Sequence, residues 1–265
     1  MTAAGRHLTK TSAFFLRSWR MTRRNTMTVF EVVFWPVVSL LSVGLMTSFL
    51  RLGEAATLFV LTGTVAFSVV QVCQLDVTYA VLFDMWAKSV KHQFLAPVYP
   101  WQMALGAWLM GVLRAVAVFA LMTVVSQWAF GLSFLRPGWG AVVVFLLGLV
   151  LSAAAVGLLV SALLLLFGVH AEVTAWSGVS LMLLLCGIYY PVSLLPGPLA
   201  AVAGGIPLTY FLEAFRAEFG FPPVFPHPLA RGFTLGVVYL AAAYLAFKGA
   251  IGRSRRTGML LKLSD

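Results

Sequence analysis

The apolar residues of this chain are grouped in long runs, and short polar segments separate the runs. Six runs come close to or exceed the roughly 20 residues that an α-helix needs to cross a bilayer. They lie at about 29–50, 55–75, 101–127, 139–168, 172–190 and 229–250, and the second can be continued as far as Asp84. Apolar runs of this length are typical of membrane-spanning helices. The pattern predicts an all-α integral membrane protein, residues 1–265, with six transmembrane helices in a single domain.

The segment before the first run, residues 1–28, is basic and has a helical pattern. Leu8, Phe15 and Trp19 fall on one side of a helix. The basic residues repeat at spacings of three and four on another side: Arg6, Lys10, Arg17, Arg20 and Arg24. Such a helix lies in the membrane interface and does not cross it. The alternative is a frayed basic tail.

The segment GIYYPVSLLPGPLAAVAGGIPLTYFLEAFRAEFG, residues 187–220, is too apolar for a surface loop and has too many prolines for one straight span. Irregular backbone at membrane depth is tolerated only where protein or water satisfies its polar groups. We therefore expect residues 191–220 to form a re-entrant pair of half-helices on the outer side. Leu199 to Ala203 and Leu208 to Phe219 form the halves, and the turn contains Gly204, Gly205 and Pro207. Glu213, Arg216 and Glu218 are expected near the outer interface, and the spacing allows Glu213 and Arg216 to pair.

One polar loop, Asp84 to Pro100, also has a helical pattern. Trp86, Val90 and Phe94 repeat at i, i+4 and i+8, with Lys88, Lys91 and His92 on the other side. Asp84 and Lys88 have the spacing of a helical ion pair. The pattern predicts a short amphipathic helix over residues 86–97, which Pro97 ends. It would serve to dock a cytoplasmic partner or as a plain connector.

Composition and charge narrow the class of protein. The chain is 61% hydrophobic and 10% charged, against about 25% charged residues in an average soluble domain. The net charge is +10, and eleven of the 18 basic residues lie before the first run or at and after the end of the last one. That distribution favours cytoplasmic termini, with residues 251–265 as a basic tail attracted to anionic headgroups. It gives no support to nucleic-acid binding. The first run is expected to be an uncleaved anchor.

No constellation of residues in the sequence predicts covalent chemistry. There is no nucleophile–base set and no G-x-x-x-x-G-K-[ST] phosphate loop, so we expect no enzyme, and any ATP must act on another subunit. The histidines and cysteines lack metal-ligand spacing, and no metal or cofactor is expected on this chain. Cys73 and Cys186 lie in different apolar runs and are expected to be free, buried thiols.

Polar and aromatic residues inside the predicted spans are candidates for function. Arg114, mid-way along the third span, should face either a partner or a water-filled path, because burying its charge is costly. Glu31 and Asp76 lie near the inner ends of the first two spans and are expected to pair with basic neighbours. Phe34 and Trp35, next to Pro36, would form an aromatic lining or pack in the core.

These features together resemble a known family. The chain combines an interfacial helix, six spans, an inner loop ending in FLAPV, and the pattern G-x-x-Y-P-x-S-x-L-P…P-L-T-Y-x-x-E-A-x-R before the last span. This is similar to the permease of type-2 ATP-binding-cassette exporters, and the resemblance covers nearly the whole chain. It implies that the inner loop is a coupling helix contacting a separate ATPase, which carries ATP and Mg²⁺. The coupling residues are then Trp86, Lys88, Val90, Lys91, Phe94, Leu95 and Pro97.

The resemblance also implies a homodimer in the bacterial cytoplasmic (inner) membrane, with the path between two copies. Candidate path or gating residues are Phe34, Trp35, Arg114, Tyr189, Tyr190, Pro191, Pro207, Tyr210, Glu213 and Arg216. The expected cargo is a lipophilic drug, a lipid or a lipid-linked glycan; export of O-antigen or capsular polysaccharide by the same architecture is the alternative. An ion-coupled secondary transporter and a non-transporting scaffold are the other readings. The secondary transporter has less support, because no internal repeat is visible.

Overall fold

The structure is a computed structural model that describes residues 3–24, 26–89 and 98–257. Every regular element in these ranges is a helix. The α-helices are α1 (Ala3–Arg24), α2 (Thr26–Phe49), α3 (Glu54–Trp86), α4 (Pro100–Phe130), α5 (Trp139–Phe167), α6 (Val173–Leu185), α7 (Gly197–Ala203), α8 (Pro207–Ala217) and α9 (Pro228–Arg256). Short 3-10 turns cover Gly168–Ala171 and Val192–Leu194. The expected all-α membrane architecture is confirmed.

Five of the described helices are long and apolar enough to cross a membrane: α2, α3, α4, α5 and α9. They correspond to the first, second, third, fourth and sixth predicted spans. The second span is one helix of 33 residues that continues past Asp84. The helix of the last span runs on to Arg256, so the first residues of the predicted basic tail are helical.

The fifth predicted span is shorter than the sequence suggested. The run at 172–190 contains α6, which has 13 residues and is about 20 Å long at 1.5 Å per residue. That is less than the roughly 30 Å of a bilayer core. The helix ends at Leu185, Gly187 has φ 66°, and residues 186–190 are turns. The predicted apolar run is therefore only partly helical. Its last residues, 186–190, form irregular chain that packs against other helices.

The predicted pair of half-helices is present. α7 and α8 are bent by 86° relative to each other, with the break at residues 204–206. Two side chains at the start of α8 stabilise the bend by donating hydrogen bonds to carbonyls at the end of α7. Thr209 Oγ1 donates to the Ala203 carbonyl at 2.9 Å, and Tyr210 Oη donates to the Gly204 carbonyl at 2.6 Å. The bend thus has its own hydrogen bonds, as irregular backbone in an apolar environment requires.

The core forms around α5, which packs against both α3 and α9. One apolar cluster lies toward α8, where Phe145 and Phe215 stack with ring centroids 4.0 Å apart. A second cluster lies toward the opposite end of the bundle and includes Leu165, Met103 and Phe247. We call this opposite end the basic end, because α1 and the last turn of α9 bring their arginines there.

The helix α1 packs against α4 at Gly106. A Cβ atom at that position would lie 2.6 Å from the Phe14 Cβ and 2.8 Å from the Thr11 carbonyl oxygen, so only glycine permits this approach. Leu8 and Trp19 point away from the bundle and are exposed. One side of α1 therefore packs on the bundle, and the other leaves Leu8 and Trp19 available to lipid.

Candidate functional site

A cavity of about 640 Å³ lies at the end of the bundle that carries α7 and α8, and we call it the bent-pair cavity. It opens between the first turns of α3, the irregular chain after α6, α8 and the loop that follows α8. Its lining is Leu52, Ala56, Phe59, Val60, Cys186, Tyr189, Tyr190, Pro191, Val192, Ser193, Leu194, Glu213, Arg216, Phe221, Pro222 and Val224. Most of this surface is apolar, and Glu213 and Arg216 are its charged members.

Five of the candidate path residues converge on this cavity, although they come from two separate segments. Tyr189, Tyr190 and Pro191 follow α6, whereas Glu213 and Arg216 belong to α8. The Tyr190 hydroxyl donates to the Leu184 carbonyl at 2.5 Å, which folds the chain back on the end of α6. The structure thus brings together groups that are more than twenty residues apart in sequence.

Arg216 is buried within the chain, with 3% of its surface exposed. Its place near the outer membrane interface stays a prediction. Its guanidinium donates to three backbone carbonyls: Nη1 to Gly187 at 2.7 Å, and Nη2 to Ile188 at 2.8 Å and Phe59 at 2.9 Å. It also lies over the Phe59 ring, with Cζ 3.5 Å from the centroid. Arg216 therefore joins α8 to α3 and satisfies carbonyls of the irregular chain after α6.

Gly63 of α3 makes room for this arrangement. A Cβ atom at position 63 would lie 1.9 Å from the Ile188 carbonyl oxygen and 2.8 Å from Arg216 Nη2. A methyl group there would displace the carbonyl that Arg216 binds. This role of Gly63 is not visible in the sequence, where it is one of several small residues in an apolar helix.

Glu213 does not use the pairing with Arg216 that the sequence allowed. Its Oε2 accepts a hydrogen bond from the Phe225 backbone N–H at 3.2 Å. Because the carboxylate belongs to α8 and Phe225 to the following loop, the bond holds that loop against the cavity. Pro207 and Tyr210, also predicted path residues, lie instead at the start of α8, where Tyr210 supports the bend.

A second cavity, of about 280 Å³, lies at the basic end between α1, α3 and α4; we call it the α1 cavity. Arg114, the remaining charged path candidate, lines this cavity and not the bent-pair cavity. Its Nη1 donates to Asp76 Oδ1 at 2.5 Å, and its Nη2 donates to Thr22 Oγ1 on α1. Arg114 therefore faces a partner within the chain, Asp76, which is one of the two alternatives that the sequence left open for it.

The basic end also holds the start of the predicted coupling segment. α3 ends at Trp86 and Lys88 has φ 53°, so the predicted short helix does not begin at residue 86. The Asp84 carboxylate is bound by Arg17 of α1, through two contacts of which one is 3.1 Å, and by Ser89 at 3.1 Å. The predicted helical pair of Asp84 with Lys88 is replaced by this link to α1. Val90, Lys91, Phe94, Leu95 and Pro97 lie outside the described residues.

Phe34 and Trp35 lie on α2 and line neither cavity. They form an aromatic row with Phe30: the rings of Phe30 and Phe34 stack with centroids 4.8 Å apart, and those of Phe34 and Trp35 meet edge to face at 5.3 Å. Trp35 is 63% exposed, so within one chain this row is not core packing. It faces either lipid or another protein chain.

Cys73 and Cys186 are both free and buried, as expected. Within the described ranges, no three His, Cys, Asp or Glu side chains cluster as metal ligands would. Both cavities present arginines, carboxylates and apolar walls.

The family model for ABC-2 type transporters matches residues 9–219, which is most of the chain. The matched range includes the whole lining of the α1 cavity and all of the bent-pair lining except Phe221, Pro222 and Val224. An uncharacterized protein from Archaeoglobus fulgidus is similar to this chain: 43% identical over 51 residues, covering 19% of this chain and 80% of that protein.

Proposed function

The chain belongs to the ABC-2 type transporter family and is a permease subunit of a multi-pass membrane exporter, and on that premise we propose that it moves a lipophilic or amphiphilic molecule outward, driven by a separate ATPase chain. Family membership implies partnership with a nucleotide-binding ATPase subunit. The cargo is a lipophilic drug, a lipid or a lipid-linked glycan. The bent-pair cavity carries this proposal, because its walls are mainly apolar and its charged groups are engaged with backbone.

The path forms between two copies of the permease in this proposal. The exposed aromatic row of Phe30, Phe34 and Trp35 supports it, because α2 is the least buried of the described candidate spans. Aromatic side chains are enriched at the centres of protein interfaces. With both termini in the cytoplasm, as the charge distribution favours, the basic end faces the ATPase and the bent-pair cavity opens outward.

The described residues at the start of the predicted coupling segment, Trp86 to Ser89, support this coupling. Asp84 ties the beginning of that segment to α1 through Arg17, and Trp86 Nε1 reaches Glu172 Oε2, before α6, at 3.4 Å. Motion of an ATPase bound to residues 88–97 would thus reach α1, α3 and α6 directly. The partner binds and hydrolyses ATP, and the helices of this chain move to open the transport path.

The partner is tested by purifying the tagged chain from native membranes in mild detergent and assaying co-purified ATP hydrolysis. We expect an ATPase with a phosphate loop, and we expect Phe94→Asp to release it. His92→Asp adds the same charge to the same segment on the side opposite the predicted apolar stripe and should retain the ATPase. Recovery of the intact permease alone would overturn the proposal.

The cargo class is tested on the reconstituted complex in vesicles. Ala56→Trp fills the bent-pair cavity, whereas Ala55→Trp changes the neighbouring exposed residue, which does not line it. Ala56→Trp should abolish the stimulation of ATP hydrolysis by lipophilic compounds, with Ala55→Trp unaffected. If both variants respond alike, the cavity is not the binding site; if only glycan-bearing lipids stimulate, the cargo is a polysaccharide precursor.

A further inference from the structure

We propose that the α1 cavity binds the headgroup of an anionic phospholipid from the leaflet that α1 contacts. The inference does not depend on the exported cargo. It is supported by the arginines of the cavity, by its apolar walls and by its position beneath α1.

The arginines that line the cavity, taken together with their ion-pair partners, leave one positive charge in excess. Arg17, Arg24 and Arg114 line it. Asp76 neutralises Arg114, and Asp84, next to the lining, neutralises Arg17. The excess therefore lies at Arg24, whose side chain is exposed at the last turn of α1. A phosphodiester carries one negative charge and accepts paired guanidinium hydrogen bonds.

The walls of the cavity suit the rest of a lipid. Phe14 and Met21 of α1 face Phe83 of α3 and Met103 of α4 across it. An acyl chain or glycerol would contact these side chains while the phosphate stays at the arginines. A free anion would gain nothing from them, and for this reason we assign the site to a lipid.

The position of the cavity agrees with that assignment. The exposed Leu8 and Trp19 on the outer side of α1 place this helix at the boundary between headgroups and acyl chains. The cavity is beneath the same helix, so lipid headgroups reach it without crossing the apolar layer. Bound there, the lipid would hold α1 on the bundle together with three existing contacts: His7 with Gln102, Arg17 with Asp84, and Thr22 with Arg114.

The test is native mass spectrometry of the purified full chain in mild detergent, titrated with phosphatidylglycerol or phosphatidylcholine of identical acyl chains. We expect phosphatidylglycerol to bind about fivefold more tightly, since one basic residue contributes roughly that factor toward an anionic lipid. Arg24→Gln should remove this preference. Arg23→Gln removes the same charge one residue earlier, outside the cavity lining, and should keep it.

A second pair of variants tests the cavity without changing charge. Ser18→Trp fills it from α1, whereas Ser12→Trp places the same side chain on the exposed side of that helix. Only Ser18→Trp should weaken phosphatidylglycerol binding. Equal losses in Arg23→Gln and Arg24→Gln, or in both tryptophan variants, would overturn the site in favour of diffuse surface attraction. Displacement of the lipid by inorganic phosphate at equal concentration would overturn the assignment to a lipid.

Discussion

Arg114 of α4 and Asp76 of α3 form an ion pair inside the helix bundle, with 2.5 Å between Nη1 and Oδ1. Arg114 Nε and Asp76 Oδ2 are buried, and neither has a hydrogen-bond partner in the described part of the chain. A buried pair of this kind adds little stability over two apolar side chains, but removing one partner leaves an uncompensated charge. Replacing one of the two residues should therefore lower the free energy of unfolding much more than replacing both.

Arg114→Leu should lower the free energy of unfolding by about 3–5 kcal/mol and reduce abundance in the membrane. Asp76→Leu combined with Arg114→Leu should recover most of that loss, because no charge is then left unpaired. Thermal unfolding of the purified variants measures both. A double variant as unstable as the sum of the two single variants would contradict the pairing. Export by the double variant at matched abundance then reports any further role of the pair in transport.

Arg216→Leu should destabilise the protein by about 3 kcal/mol or more, because three backbone carbonyls lose their donor in an apolar environment. Arg216→Lys should have an intermediate effect, since an ammonium keeps the charge but not the planar arrangement of donors. The free energy of unfolding checks both. Arg231→Leu, on the exposed first turn of α9, is the control and should change it little. Equal effects at positions 216 and 231 would argue against the carbonyl contacts.

Gly106→Val should push α1 away from α4, because even a Cβ atom at that position overlaps Phe14. The distance can be followed by joining cysteines introduced at His7 and Gln102 with a short bifunctional thiol reagent, because the ends of these two side chains, His7 Nδ1 and Gln102 Nε2, lie 2.8 Å apart. We expect rapid cross-linking in the otherwise unchanged chain and little in Gly106→Val. Gly140→Val has open space around it and should cross-link normally. Undiminished cross-linking in Gly106→Val would show that α1 does not depend on this close contact.

Glu213→Ala should loosen the loop after α8, because the Phe225 N–H loses its carboxylate acceptor. A hydrogen bond to a charged group contributes about 1.5–3 kcal/mol, so amide exchange at Phe225 should accelerate at least about tenfold. Hydrogen exchange followed by mass spectrometry of that loop is the measurement. Glu218→Ala, on an exposed residue just after α8, serves as the control. Similar acceleration in both variants would mean that the Glu213 contact does not hold the loop.

Much of the architecture could be predicted from local pattern alone. Long apolar runs need no partner to form helices in a bilayer, because each helix satisfies its own backbone, so α2 to α5 and α9 follow from composition and length. The bend between α7 and α8 follows as well, since the Gly204–Gly205 pair and Pro207 interrupt a helix wherever they occur. The amphipathic pattern of α1 likewise depends only on its own residues.

The partners of the charged side chains depend on how the helices pack and cannot be read from the sequence. Arg17 finds Asp84, Arg114 finds Asp76 and Arg216 finds the carbonyls of Phe59, Gly187 and Ile188, all far away in sequence. The sequence places these arginines in or beside apolar helices, where each must have an acceptor, but it does not say which helix brings the acceptor. That choice follows from which helices pack together, and close packing depends on small residues such as Gly63 and Gly106, whose role is visible only once their neighbours are in place. The sequence by itself therefore determined the helices, and their packing determined the two cavities.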